Sequence, residues 1–599
     1  MEPNYWPCSL RRLLRLAAAL LFGTLLVPSV RAETRTLQEL TPIVIGGNAA
    51  PGVAGGAFLT VNSNFRANRK GEVLFRAMLA DGQDVNDNNN SGLWTNAGGN
   101  ISLVSRKGDI APGAPEGMRF IGFEDWELNS VGQAAFHAHW TGSGNDRNEG
   151  IWKSLPGGLE IVARTDASAP DVEPPVDAGG IFYVSQNEAG DIGFGGVVGA
   201  AGGAGKSANW LNRGGMSELV VIEDMPVPEI PGNEFNSISA GFVVTDQSST
   251  IFRASFGTTL GQGIFRYADD HPVPIVTSLM QAPGFADGVK IKIGRWSVNR
   301  YEDIAFNGFS LDNTGATATW LIRDGSLELI AKKDENAPGT ETTFRDFGIS
   351  SQPQMNDRGE LVFTARLNNT GDEYGIWTTQ GGPLRLLLRE GDHAPEMPAN
   401  VEFQSLGGGA TNNRGQLIVA ATLQGVSAQS NYGIWATDVG GPLQLIVRIG
   451  DMIEVSPGEL RTIKNLLQAK LAENGDVIIA VDFTDGTGGL ITSHRVLVLD
   501  GDYNFDGSVN AADYTVWRNQ LGTDEPAADG NFDGVVDALD YNLWKANFGA
   551  VRASFGQSAI SNAVPEAGTL SLAMLAGLSC LLCRRPRLVR SPRRIGGRL

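Results

Sequence analysis

A unit of nearly constant length recurs eight times along this chain, and no other feature constrains its fold as strongly. One landmark, Gly-Ile-Trp or a variant, ends at Trp94, Trp152, Trp210, Phe265, Trp320, Trp377, Trp435 and Ile491, in steps of 55–58 residues. Before it comes a turn of the form Asn-x-x-Gly that runs into a strand. Examples are Asn68–Gly71 to Phe75, Asn129–Gly132 to Phe136, Asn187–Gly190 to Phe194, Asn356–Gly359 to Phe363 and Asn412–Gly415 to Val419. Weaker copies start at Thr245, at Asn299 (with Glu302 in the glycine slot) and at Ala472. After the tryptophan comes an apolar run ending in Gly-Asp, as in Leu384–Asp392 and Leu443–Asp451. Ala-Pro-Gly often follows, at Ala111–Gly113, Ala282–Gly284 and Ala337–Gly339.

Asn-x-x-Gly is turn chemistry, because Asn bonds its own backbone and Gly accepts positive φ. The alternation that follows, as in Phe363–Leu367, puts one apolar face on a core. Gly-Ile-Trp reads as a second strand, the Leu-rich run as a third, and the segment before the next Asn, such as Phe344–Phe347, as a fourth. Four short strands per unit without helices suit a β-propeller blade. The expected fold is therefore mainly β, a propeller of seven or eight blades over residues 36–499. Pro42–Gly47 would add an N-terminal strand that completes the last blade and removes an open edge. An open stack of β repeats or a pair of sandwiches is the competing architecture. The 77 glycines and 28 prolines fit many tight turns, and 42% hydrophobic residues are ample for a core. Recurrence of tryptophan at one register marks it as blade core rather than ligand platform.

The formal charge of −19 argues against nucleic acid as a partner, since phosphate binding needs clustered Lys and Arg. Cys8, Cys580 and Cys583 sit at the chain ends, so no disulfide is available to the main body. No nucleophile elbow, zinc spacing or complete P-loop occurs, and Gly202–Ser207 lacks the P-loop spacing. His137 and His139 share one strand face and could hold a metal. Other repeats carry Arg76/Met78 or Thr364/Arg366 there, so the pair reads as variable surface positions. The segment Asn129–Phe136 resembles the signature of the tandem NxxGxxAF-repeat proteins, which are exported bacterial proteins with interchangeable C-terminal anchors. That resemblance implies architecture and location and carries no activity.

A second unit follows the repeats, over residues 500–549. Asp502, Asn504, Asp506, Asn510 and Asp513 stand at positions 1, 3, 5, 9 and 12 of a loop with Gly507 at 6, and the backbone carbonyl of Ser508 falls at 7. Asp529, Asn531, Asp533, Asp537 and Asp540 repeat the pattern with Gly534, and the Val535 carbonyl falls at 7. Calcium takes six to eight oxygen ligands, which this spacing wraps around it, so two ions are expected. Residues 500–549 hold ten acidic side chains against Arg518 and Lys545, a net −8 that repels itself without a cation. A helix should follow each loop, with Tyr514, Trp517 and Leu521 matched by Tyr541, Trp544 and Phe548 on one face, and with Gly522 and Gly549 ending each helix. The duplicated loop–helix resembles a type I dockerin. The resemblance implies a cohesin-type partner, contacted through Ala511, Ala512, Arg518 and Asn519 or through Ala538, Leu539, Lys545 and Ala546, unless the module binds within its own chain.

Both ends read as addresses. Arg11, Arg12 and Arg15 precede the apolar run Leu16–Val27 and a small-residue cut site at Ala32, which makes residues 1–32 a signal peptide. After a linker over 550–563, residues 564–599 join Pro565-Glu566, an apolar stretch to Cys583 and an Arg-rich end. This resembles a PEP-CTERM sorting tail, with Ala567 where a second proline is usual. It implies a transmembrane segment held in the inner membrane until an exosortase-type peptidase removes it, a plain anchor being the other option. The expected function is that of an exported, non-catalytic cell-surface or secreted protein. Its repeat domain would bind a glycan or protein, and its module would bind calcium. The competing expectation is a propeller enzyme that cleaves polysaccharide, which requires convergent carboxylates, His or Tyr in one cavity at non-repeating positions.

Overall fold

The computed structural model describes residues 36–551, apart from 38–39, 83, 142–147, 173–177, 200–204, 258–260, 313, 349–350, 369–370, 372, 438–440, 494–498 and 526. The segments expected to be a signal peptide and a sorting tail, and all but the start of the expected linker, lie outside the described residues. No described helix is long and apolar enough to cross a membrane.

Eight sheets follow one another along the chain, seven of them antiparallel with their strands in sequence order and the eighth combining the last repeat with the two N-terminal strands, and they form an eight-bladed propeller. Blade 2 is representative: Arg119–Leu128, Ala134–Thr141, Asn148–Leu155 and Gly158–Arg164. The first strands of neighbouring blades touch, so they line the axis. Space there is tight, and these inner strands carry register shifts, as at Phe120/Gly122 and Phe123/Asp125 in blade 2. Blade 6 departs from the pattern, with its inner strand broken into Phe344–Asp346 and Gln354–Met355.

Closure uses the N-terminal strand, as the sequence predicts. Leu40–Ile45 pairs antiparallel with Gly488–Ser493 and becomes the outer strand of blade 8. Thr36–Leu37 adds to the same sheet in parallel with Met452–Ser456. Val44, Phe75, Trp94, Ile478 and Leu490 then form one core cluster across the blade 8–blade 1 seam.

The repeat landmarks now have physical reasons. Asn68 accepts the N–H groups of Lys70 and Glu72 through Oδ1, both at 3.0 Å, and its Nδ2 donates to the Asn129 carbonyl of the next blade at 3.0 Å. Asn187, Asn299, Asn356 and Asn412 make the same interblade bond, at 2.9–3.3 Å. Asn474 closes the circle on Lys70 at 2.9 Å. A carboxylate could not replace Asn, because the second bond needs a donor. The fourth turn residue takes positive φ in every copy, including Ser248 at 55° and Glu302 at 68° where glycine is missing. Each of the landmark tryptophans Trp94, Trp152, Trp210, Trp320, Trp377 and Trp435 is buried and donates its indole N–H to the proline carbonyl of the loop entering its own blade. Trp152 bonds Pro112 at 2.9 Å and Trp377 bonds Pro338 at 3.1 Å. Where glycine stands two residues earlier, as at Gly92, Gly150, Gly375 and Gly433, the ring folds back over it, and a Cβ on Gly375 would lie 2.5 Å from Trp377; blades 3 and 5 carry Ala208 and Ala318 at this position. The tryptophans are core, as expected.

The second turn residues plug the axis. Glu188 accepts from Ser130 N at 2.6 Å, Asp357 from Arg300 N at 3.2 Å, Asn413 from Asp357 N at 2.6 Å and Glu473 from Asn413 N at 2.8 Å. Arg69 reaches across to Asp246 at 2.7 Å and to Glu188 at 3.4 Å. Burial, reinforced by the Asp357 charge, pushes the Glu473 carboxyl up to about 7. The folded state therefore holds a proton that the unfolded chain releases near pH 4.5, and stability falls as pH rises from there through 7. Glu473→Gln keeps an acceptor and removes the charge. It is expected to stabilise the propeller at pH 8 by about 2 kcal/mol and to flatten melting temperature against pH across that window. A variant that melts lower than the parent at pH 8 would contradict this.

Candidate functional site

The two acidic loops fold alike. Asp502 accepts from Asp506 N at 3.1 Å and Gly507 N at 2.8 Å, and Asp529 from Asp533 N at 3.1 Å and Gly534 N at 2.9 Å. At position 12, Asp513 accepts from Tyr503 N, Asn504 N and Asn510 N at 2.8–3.0 Å, and Asp540 accepts from Gly530 N, Asn531 N and Asp537 N at 2.7–3.1 Å. Gly507 and Gly534 take φ of 86° and 90°, which the bend requires. Asn510 and Asp537 cap helices α1 (Ala511–Gln520) and α2 (Ala538–Asn547) with full capping boxes.

Asp502, Asp513, Asp529 and Asp540 are all buried, and none has an ion-pair partner among the described residues. Burial, with neighbouring carboxylates adding to it, pushes Asp502 up and Asp529 to about 6, and burial likewise raises Asp540. Buried like charges surrounded by oxygen donors fit a hard cation. Asp502, Asn504, Asp506, Asn510 and Asp513 would hold one ion and Asp529, Asn531, Asp533, Asp537 and Asp540 another, with the Ser508 and Val535 carbonyls.

The halves lock through a local two-fold pattern. Trp517 Nε1 donates to Asp537 O and Trp544 Nε1 to Asn510 O, both at 2.8 Å. Tyr514, Trp517, Tyr541 and Trp544 stack in one aromatic group. The expected apolar stripe ends early, because Leu521 and Phe548 are the exposed C-cap residues, followed by Gly522 and Gly549 at positive φ. Ala511, Ala512, Arg518, Asn519, Ala538, Leu539, Lys545 and Ala546 are all exposed.

The loops themselves face the propeller, a feature the sequence did not announce. Phe505 and Phe532, at position 4 of each loop, take φ of 58° and 59°, which is rare for a bulky side chain. Arg358 lies over the Phe505 ring at 5.5 Å and Arg414 over the Phe532 ring at 4.8 Å. Both arginines occupy the third position of the axial turns in blades 6 and 7. In blade 5 the residue at that position, Tyr301, donates to Asp524 O at 3.1 Å. Arg414 is buried beneath the module, and its guanidinium makes no hydrogen bond among the described residues.

Residues 500–548 match the Dockerin type I domain. Residues 30–154 and 145–498 match a family of unknown function, DUF7453. The chain belongs to the DUF7453 family. No curated protein matches it. Among solved structures, a Dyadobacter fermentans protein of unknown function aligns at 13% identity, covering 58% of this chain and 98% of its own, with a TM-score of 0.24. The polysaccharide lyase Uly1 aligns at 10% identity over 75% of this chain and 91% of its own, with a TM-score of 0.27. A puromycin-hydrolyzing peptidase of Mycobacterium tuberculosis aligns at 10% identity over 75% of this chain and 62% of its own, with a TM-score of 0.30.

Blade 2 of this DUF7453 chain corrects one expectation. His137 and His139 are 1% and 4% exposed, so they are interior residues and not variable surface positions. Burial, and then the neighbouring His139, pushes the His137 imidazole down. The alternation gave no warning: Ala134, Phe136, Ala138 and Trp140 make one apolar face, while Ala135, His137 and His139 make a polar one that reads as exposed.

Proposed function

We propose that this chain is an exported, non-catalytic presenting protein, in which the propeller carries a two-calcium docking module for a cohesin-type partner. One observation carries the reading: the module's calcium loops rest on the propeller while all eight helix positions that a dockerin uses for recognition stay exposed, Leu539 to 54%. An exposed apolar residue on a short helix face is what a protein partner would cover. The N-terminal leader and the Arg-rich tail support export with anchoring or release by an exosortase-type peptidase, and the propeller surface would take a glycan or protein ligand. The test is binding of the full chain to a panel of immobilised type I cohesins with calcium and with EGTA. Calcium-dependent capture, lost in a chain carrying Ala538→Asp and Leu539→Asp, is expected. Capture by no cohesin, or equal capture in EGTA, sinks the reading.

A second reading, a polysaccharide-cleaving propeller, is favoured by the buried His137–His139 pair, which occurs in one blade only and lies beside carboxylates and a cavity lined by Arg76 and Glu124. Release of reducing ends from acidic or neutral polysaccharides by the full chain would establish it in place of the first.

A further inference from the structure

Three adjacent strands of blade 2 bring their polar side chains to one place. His137 and His139, two apart on the second strand, face the same way, with ring centroids 5.1 Å apart. Glu149 lies directly across from His139 on the third strand. One ligand atom from each of the three lies within 4.8 Å of the others. Glu124 comes from the inner strand, at the register shift between Phe123 and Asp125, where an extra residue re-aims its side chain.

The four imidazole nitrogens are buried, and none makes an aligned hydrogen bond among the described residues. His137 has no partner for either nitrogen among the described residues and His139 meets only carboxylates, so a cation between the two rings would satisfy His137 and offset the crowded acidic charge. Glu149 Oε1 stands 3.5 Å from His139 Nδ1, and Glu124 Oε1 stands 2.5 Å from His139 Nε2. Donors around a tetrahedral zinc at about 2.1 Å lie about 3.4 Å from each other, so the Glu149–His139 pair is already at ligand spacing, and the His137 donor lies within 4.8 Å of both. The other face of His139 meets Glu124, the carboxylate that orients a metal-bound imidazole and fixes its tautomer. Glu149 is held in turn, its Oε2 accepting from Ile181 N of blade 3 at 3.0 Å.

We propose that His137, His139 and Glu149 form a binding site for a divalent transition metal of the zinc class, with Glu124 as the positioning carboxylate behind His139. Two nitrogen donors and one carboxylate select such a metal over calcium, which prefers oxygen alone. The site is separate from the module's loops. A cavity of about 270 Å³, lined in part by Arg76, Glu124 and His139, adjoins the Glu124 side of the site. The corresponding positions in other blades, such as Arg76/Met78 and Thr364/Arg366, hold no such pair, so the repeat itself does not explain these residues.

Cobalt(II) titration of the full chain in saturating calcium tests this, because cobalt in a four-coordinate, near-tetrahedral site absorbs visible light far more strongly than six-coordinate cobalt in an oxygen-lined loop. One equivalent with a strong visible band, displaced by zinc, is expected. His137→Ala and His139→Ala should abolish the band, and Glu124→Gln should weaken binding about 10–100-fold. Asp502→Ala with Asp529→Ala should leave it unchanged. His137→Gln, which keeps a planar polar side chain, is expected to melt like the parent and still lose the band. Absence of a strong band in the parent chain, or its persistence in His137→Gln, overturns the proposal.

Discussion

Chelating calcium from the full chain is expected to melt the region 500–551 while leaving the propeller folded. The module's own core consists of Tyr503, Ala528 and Val536, with Val516, Trp517 and Trp544 partly buried against it. A core so small cannot offset the ordering entropy of about fifty residues, at roughly 1–2 kcal/mol each. Four buried carboxylates, none in an ion pair among the described residues, add a further cost. Bound at a thousand times its dissociation constant, an ion adds about 4 kcal/mol per site. Calorimetry should therefore show a calcium-dependent transition separate from the propeller's, abolished by Asp502→Ala with Asp529→Ala. Hydrogen exchange should then rise at the axial turns too, because Phe505 and Phe532 sit on Arg358 and Arg414. A helical signal that does not change in EGTA would refute the calcium assignment.

The second large effect concerns the tryptophan register. Trp377→Ala is expected to destabilise the propeller by about 3–5 kcal/mol, since the ring is fully buried and packs edge-on against Phe344 at 4.9 Å. The lost bond to the Pro338 carbonyl also frees the loop entering blade 6. Gly375→Ala in the parent should destabilise as well, because the added Cβ would lie 2.5 Å from the indole. In the Trp377→Ala background the added Cβ meets only the flexible end of Leu386, at 3.2 Å, so most of its cost should disappear. Denaturant melts of the four chains give the coupling directly. Additive losses would mean that the glycine answers to something other than the ring.

Much of this was legible beforehand because it is local. Turn chemistry at Asn-x-x-Gly, alternation along Phe363–Leu367, ligand spacing over Asp502–Asp513 and helix stops at Gly522 and Gly549 each depend on neighbours a few residues apart. Even ring closure by Leu40–Ile45 was readable, since an unmatched outer strand at one end of a repeat array has one place to pair. Three things needed the tertiary structure. Eight blades rather than seven follows from the full set of closed sheets, which weak copies at Thr245 and Ala472 leave open on paper. The seat of the calcium loops on Arg358 and Arg414 joins residues more than a hundred positions apart. The meeting of His137, His139, Glu149 and Glu124 depends on cross-strand register and on one inner-strand bulge, neither of which has a sequence period. Sequence by itself determined the units and their turns, because those energies are short-ranged. The tertiary structure decided which polar groups are buried together, because that is set by how whole blades pack.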